Sequence, residues 1–257
     1  VNTLVMGSSR IMQVSSDTIE AQSLNLSVSG ASIEDDVAFI GEAVVKLRPS
    51  RVLIGADPWL LNKKDNLDRW KSIEYLYQHW MENISRKTND DSSSPSYFVN
   101  GIDAEPQQNR SSTRLYQSIS LNNGTSIANN NKREATDKKA YDGFHIYNVT
   151  YAGKSQSSMI TGFDALLNYG MADFEPDVFA EDRLRLLVEW LKSNGIEVYL
   201  VLSPYHPRLY ERMVKERPVF LSVESMFRGI GNDLGIVVTG SYDPSIAGCI
   251  ADDFYDG

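Results

Sequence analysis

Thr3-Leu4-Val5-Met6-Gly7-Ser8-Ser9-Arg10 is the stretch on which the fold turns. A short, mostly apolar run closed by glycine and serine reads as a buried strand ending in a tight turn. Glycine removes the Cβ that would hinder a sharp change of direction. A serine just after such a strand either caps a following helix or presents its hydroxyl at the strand's end. For Ser9 both readings stand on these residues alone.

Working outward, residues 24–28, 51–54, 197–202 and 235–238 repeat the pattern, each rich in Val, Ile or Leu and closed by Gly, Ser, Asp or Pro. Helical periodicity fills the gaps. Ser32-Ile33-Glu34-Asp35 reads as a cap with acids in the first turn, and Val37, Ile40, Val44 and Val45 share a face until Pro49 stops the helix. Residues 67–84 carry Trp70, Ile73, Leu76, Tyr77 and Trp80; residues 180–193 carry Leu184, Leu186, Leu187, Trp190 and Leu191 before Asn194-Gly195. Residues 208–216 and 220–234 complete the set. Alternating strands and helices predict an α/β fold: a doubly wound, flavodoxin-like, three-layer α/β/α domain with about five parallel strands. Near-continuous apolar strands predict a sheet covered on both faces.

The chain reads as a single domain over residues 1–257, with 42% apolar residues sufficient for one sizeable core. A polar insertion at about 85–140, including Asp90-Asp91-Ser92-Ser93-Ser94 and Asn129-Asn130-Asn131, interrupts the alternation. It is read as a surface segment, either a lid or a loop without a role. The net charge of −9 and the absence of a Lys/Arg cluster argue against nucleic acid as a partner. Cys249 is the one cysteine, which excludes an internal disulfide, and its neighbours Ile246, Ala247 and Ile250 predict a buried thiol. No run approaches the roughly 18 apolar residues of a membrane span. The chain opens almost directly into a strand, which is read as a sign that an upstream segment is missing.

Ligands of open α/β sheets bind beyond the carboxyl ends of the strands. Ser9 falls there, and N–H groups of the following turn can face a developing negative charge. The other strands end in Ser29-Gly30-Ala31, Gly55-Ala56-Asp57-Pro58-Trp59 and Ser203-Pro204-Tyr205-His206-Pro207, and the chain closes with Asp252-Asp253-Phe254-Tyr255-Asp256-Gly257. Arg10 is a candidate to hold a carboxylate or sugar hydroxyl, or to pair with Asp57. Trp59 and Tyr205 are candidates for a sugar-stacking platform, or for packing at the sheet edge. His206 is a candidate base or substrate ligand, or a loop residue between two prolines. His145 and His79 are read as non-catalytic, and Arg183 and Arg185 as solvated. The histidines are too scattered for a zinc site, and no metal or cofactor is expected.

In this order the blocks resemble those of the SGNH/GDSL hydrolase family. More closely they resemble bacterial SGNH-like proteins of cell-surface polysaccharide acylation, such as those of alginate O-acetylation and of D-alanine transfer to teichoic acid. The resemblance spans the chain outside the insertion. It implies an SGNH fold with Ser9 as nucleophile, Ser replacing the usual Asp before it. It places Ser9 and Gly30 in an oxyanion hole through their N–H groups, and Asp57 where the family has an Asn donor. It makes Asp256 the acid of an Asp-x-x-His block whose His would fall two positions beyond Gly257. An ionised Asp57 cannot donate, so it is either protonated or turned to another partner, with Arg10 the candidate. Without the His, general-base help of roughly 10²–10⁴-fold is lost and little activity is expected.

The implied function is a serine esterase or O-acyltransferase acting on acyl esters, acetyl foremost, of an extracellular or cell-envelope polysaccharide. The implied setting is periplasmic or extracytoplasmic, with an upstream membrane anchor and a membrane-bound acyltransferase as candidate partner. A non-catalytic polysaccharide-binding or assembly protein is the alternative. A phosphate-binding flavodoxin-like module is a remoter one, since no Gly-rich loop with Lys is present.

Overall fold

The computed structural model describes residues 1–65, 67–89, 138–146, 171 and 173–254. Most of the insertion expected at about 85–140, and Asp256, lie outside the described residues.

The central sheet has five parallel strands: β1 (Thr3–Met6), β2 (Ser23–Asn25), β3 (Arg51–Gly55), β6 (Glu197–Leu202) and β7 (Val237–Gly240). Their order is β2-β1-β3-β6-β7. The expected α/β architecture is therefore present, and the chain reverses its winding direction between β1 and β3, the place where open sheets bind ligands. Leu4 lies opposite Leu24 and Val52, Leu53 opposite Tyr199, and Leu200 opposite Val238. Every residue of β1 is buried. Burial alternates along β6, and three of the four β7 residues are exposed, so the expectation of full cover on both faces fails toward that edge.

Helices flank the sheet. α1 (Ile33–Leu47) begins with a capping box in which Ser32 Oγ accepts from Asp35 N–H and the Asp35 carboxylate accepts from Ser32 N–H. It ends at Arg48, in left-handed backbone before Pro49. α2 (Glu74–Asn89) follows a 3₁₀ turn at Arg69–Ile73, so the helix predicted from residue 67 starts later. α3 (Val178–Ser193) is capped by Asp177, α4 (Pro207–Glu216) by His206, and α5 (Val219–Leu234) ends at Gly235. Trp80 of α2 packs tilted against Trp190 of α3, and Gly41 of α1 leaves room for the Trp80 ring. Among the described residues no helix is long and apolar enough to cross a membrane.

The thiol expectation fails: Cys249 is only half-buried, because Ile246 and Ile250 beside it face solvent. Arg183 pairs with Glu34 and Asp177, and Arg185 with Glu181 and Asp233, so both are engaged in ion pairs between elements.

A small antiparallel hairpin, β4 (Lys138–Lys139) and β5 (His145–Ile146), docks on the free edge of β2. Asn25 N–H donates to Asp142 O at 2.7 Å and His145 N–H to Met12 O at 3.0 Å. Gly143 at the turn has φ +80°, and a Cβ there would meet Asn25 O at 2.0 Å. Gly143→Ala is thus expected to cost about 1–3 kcal/mol of local stability. Limited proteolysis should then cut within residues 138–146 faster than in the wild type, and unchanged cutting would refute this.

Candidate active site

The site begins where β1 meets β3. Gly7 and Gly55 face each other across this junction, and a Cβ on Gly7 would lie 3.0 Å from Gly55 Cα and 2.8 Å from Ile11 Cδ1. Close backbone approach sets the turn, and Ser9 begins a one-turn 3₁₀ segment, Ser9–Ile11. Ser8, fully buried, caps that segment by accepting from Arg10 N–H at 3.2 Å. Ser9 is half-buried, as a residue at the rim must be to meet a ligand.

Arg10 ties the neighbouring loops together. Its Nε lies 3.2 Å from Asp57 Oδ1, with the two side chains 14% and 4% exposed. Its Nη2 donates to Ser203 O at 2.7 Å and Pro204 O at 2.9 Å. Its guanidinium stacks over the Tyr205 ring at 3.6 Å. One side chain thereby joins the loops after β1, β3 and β6. A desolvated cation stacked on a phenol face gains up to about 2 kcal/mol.

Burial pushes the Asp57 carboxyl up from its ordinary range, opposed by the Arg10 guanidinium and by the Ser8 hydroxyl and N–H. The Asp57 carboxyl lies at ion-pair distance from Arg10 Nε. The expected alternative, a pair with Arg10, is the arrangement present.

Gly30 is buried with φ +63° in the loop after β2. That loop is joined to the Ser9 turn by Val28 N–H donating to Gly7 O at 2.9 Å, and to the β3 loop by Trp59 Nε1 donating to Ala31 O at 3.2 Å. The structure thus gathers the loops bearing Ser9, Arg10, Gly30 and Asp57 at the carboxyl edge of the sheet.

Trp59 and Tyr205 are 5% and 4% exposed, which removes them as a stacking platform for a sugar. Tyr205 is wedged between Arg10, Phe220 and Tyr242, and burial pushes its phenol up to about 12. His206 is also buried; its Nδ1 accepts from Arg208 N–H at 3.2 Å, and its ring lies 5.6 Å from that of Phe254. Burial and the Arg208 charge lower its pKa. With Nδ1 accepting, the neutral ring carries its proton on Nε2. His79 is exposed, edge-on to Trp80.

Three contributors were missed in the sequence. Asn25, at the end of β2, donates from Nδ2 to Ile11 O and Val14 O and so shapes the segment after Ser9. Tyr242 donates to Ala56 O at 2.6 Å and braces the Asp57 loop. Asp36 is fully buried one turn into α1. Only Asp36 left a trace: it shares the apolar stripe of Ile33, Val37 and Ile40.

A groove of about 620 Å³ opens elsewhere, along Gln22, Ser23 and Leu24 with Val1, Glu20 and Tyr141, and neither Ser9, Arg10, Gly30, Asp57, Trp59, Tyr205 nor His206 lines it. Among the described residues no group of His, Cys, Asp and Glu is arranged to hold a metal ion. No family model, curated protein or solved structure matches the chain.

Proposed function

We propose that this chain is a serine esterase or O-acyltransferase of SGNH type that moves acyl groups, acetyl foremost, on a cell-envelope or extracellular polysaccharide. The observation that carries the reading is the placement of a half-buried Ser9 at the β1/β3 switch point, in a turn braced by Ser8, Arg10 and Asp57. Ser9 Oγ would attack the ester carbonyl and form the acyl-enzyme; backbone N–H groups of Ser9 and Gly30 would receive the oxyanion. Asp256 and a following His would supply the base. Glycan, extracytoplasmic setting and a membrane-bound acyltransferase partner rest on the family resemblance.

One observation favours the second reading, a non-catalytic polysaccharide-binding or assembly protein: the Asn-like donor position is held by Asp57, locked to Arg10. The two are separated with the chain plus any residues encoded after Gly257. The esterase reading predicts covalent labelling of Ser9 by a fluorophosphonate and hydrolysis of p-nitrophenyl acetate, with Ser9→Ala losing about 10³-fold or more of the rate. A folded protein that neither labels nor hydrolyses supports the binding reading instead.

A further inference from the structure

Four carboxyl groups crowd the start of α1 and the loop after β3: Glu34, Asp35, Asp36 and Asp57. Three have a cation. Arg183 Nη2 lies 3.1 Å from Glu34, Arg69 Nη2 lies 2.8 Å from Asp35, and Arg10 Nε lies 3.2 Å from Asp57. Asp36 has none among the described residues. It is 0% exposed, and neither of its carboxyl oxygens has a hydrogen-bond partner among the described residues. Asp35 Oδ1 and Asp57 Oδ2, also buried, are without partners as well.

We propose that Asp36 stands in the fold as a neutral carboxylic acid, a buried proton that ties the stability of the start of α1 to pH. An isolated buried carboxylate costs far more than its protonated form, so a side chain without a cation keeps its proton. The charged groups acting on it are Asp35 and Glu34 from α1, Asp57 from the β3 loop and Arg69 from the 3₁₀ turn; burial and the three acids all favour the neutral form, and only Arg69 opposes it. Ionisation would set a second negative charge against Asp57.

The test compares wild type with Asp36→Asn, which has the shape and neutrality of the acid. In the unfolded chain Asp36 ionises near its ordinary value, about 4, while in the fold it keeps its proton to a higher pH; the wild type therefore loses stability as pH rises above about 4, until the folded group also ionises. The melting temperature of Asp36→Asn is expected to exceed that of wild type by a margin that grows by several degrees from about pH 4 to about pH 8. A margin that is constant, or that reverses, overturns the proposal. Carboxyl carbon-13 shifts of the wild type read the same proton directly, should the variant fail to fold. Asp36 is expected to hold its proton well above the ordinary aspartate range, and ionisation near about pH 4 overturns the proposal.

Discussion

Arg10→Ala is expected to destabilise the protein by about 3–5 kcal/mol, because it leaves the Asp57 carboxylate buried without its cation. The same change strips the stacking partner from Tyr205 and the donor from Ser203 O and Pro204 O. Chemical denaturation with a linear extrapolation measures the loss. A double-mutant cycle with Asp57→Asn separates the causes. Neutralising Asp57 removes the unpaired charge, so the double variant should recover a large part of the loss, with a coupling of about 1–3 kcal/mol. Additive losses would show that Arg10 acts through its carbonyl and ring contacts alone. If Ser9 is the nucleophile proposed above, Arg10→Ala should also slow its labelling even where the protein remains folded, since Ser9 and Arg10 share one short turn.

Phe220→Ala should cost a similar amount, about 3–5 kcal/mol, since it empties a fully buried aromatic site. Phe220 stacks on Tyr242 with ring centroids 5.0 Å apart and meets Tyr205 edge-on at 5.0 Å. Tyr205 lies beneath Arg10, and Tyr242 holds Ala56 O next to Asp57. The cavity therefore opens directly under the site. Calorimetry should show a lower melting temperature, and Phe220→Leu, which refills part of the volume, should restore part of it. The Phe220 and Arg10 losses should not add, because both act through Tyr205. A loss under about 1 kcal/mol for Phe220→Ala would mean that the cluster closes over the gap.

Much of the fold was legible because its signals are local. Thr3–Met6, Arg51–Gly55 and Glu197–Leu202 announce themselves as apolar runs closed by turn residues, and α1 by Ser32 and its first-turn acids. Boundaries slipped where tertiary contacts outweigh propensity. The assigned strand β2 closes at Asn25, yet residues 26–28 keep pairing with the β1 side, Leu26 N–H donating to Val5 O and Val28 N–H to Gly7 O. Residues 69–73 form a 3₁₀ turn, from which Arg69 reaches Asp35.

Sequence by itself determined the α/β class, the number of sheet strands and the placement of Ser9 at a strand's carboxyl end, since each follows from periodicity and turn chemistry over a few neighbouring residues. Only the tertiary structure decided which charges meet. It joined Arg10 to Asp57, Ser203 and Pro204 across gaps of dozens to nearly two hundred positions, sank Trp59 and Tyr205 into the core, and left Asp36 alone of four acids without a cation among the described residues. The physical reason is that ionisation and solvent access depend on distances through space and on burial, and neither can be read from spacing along the chain.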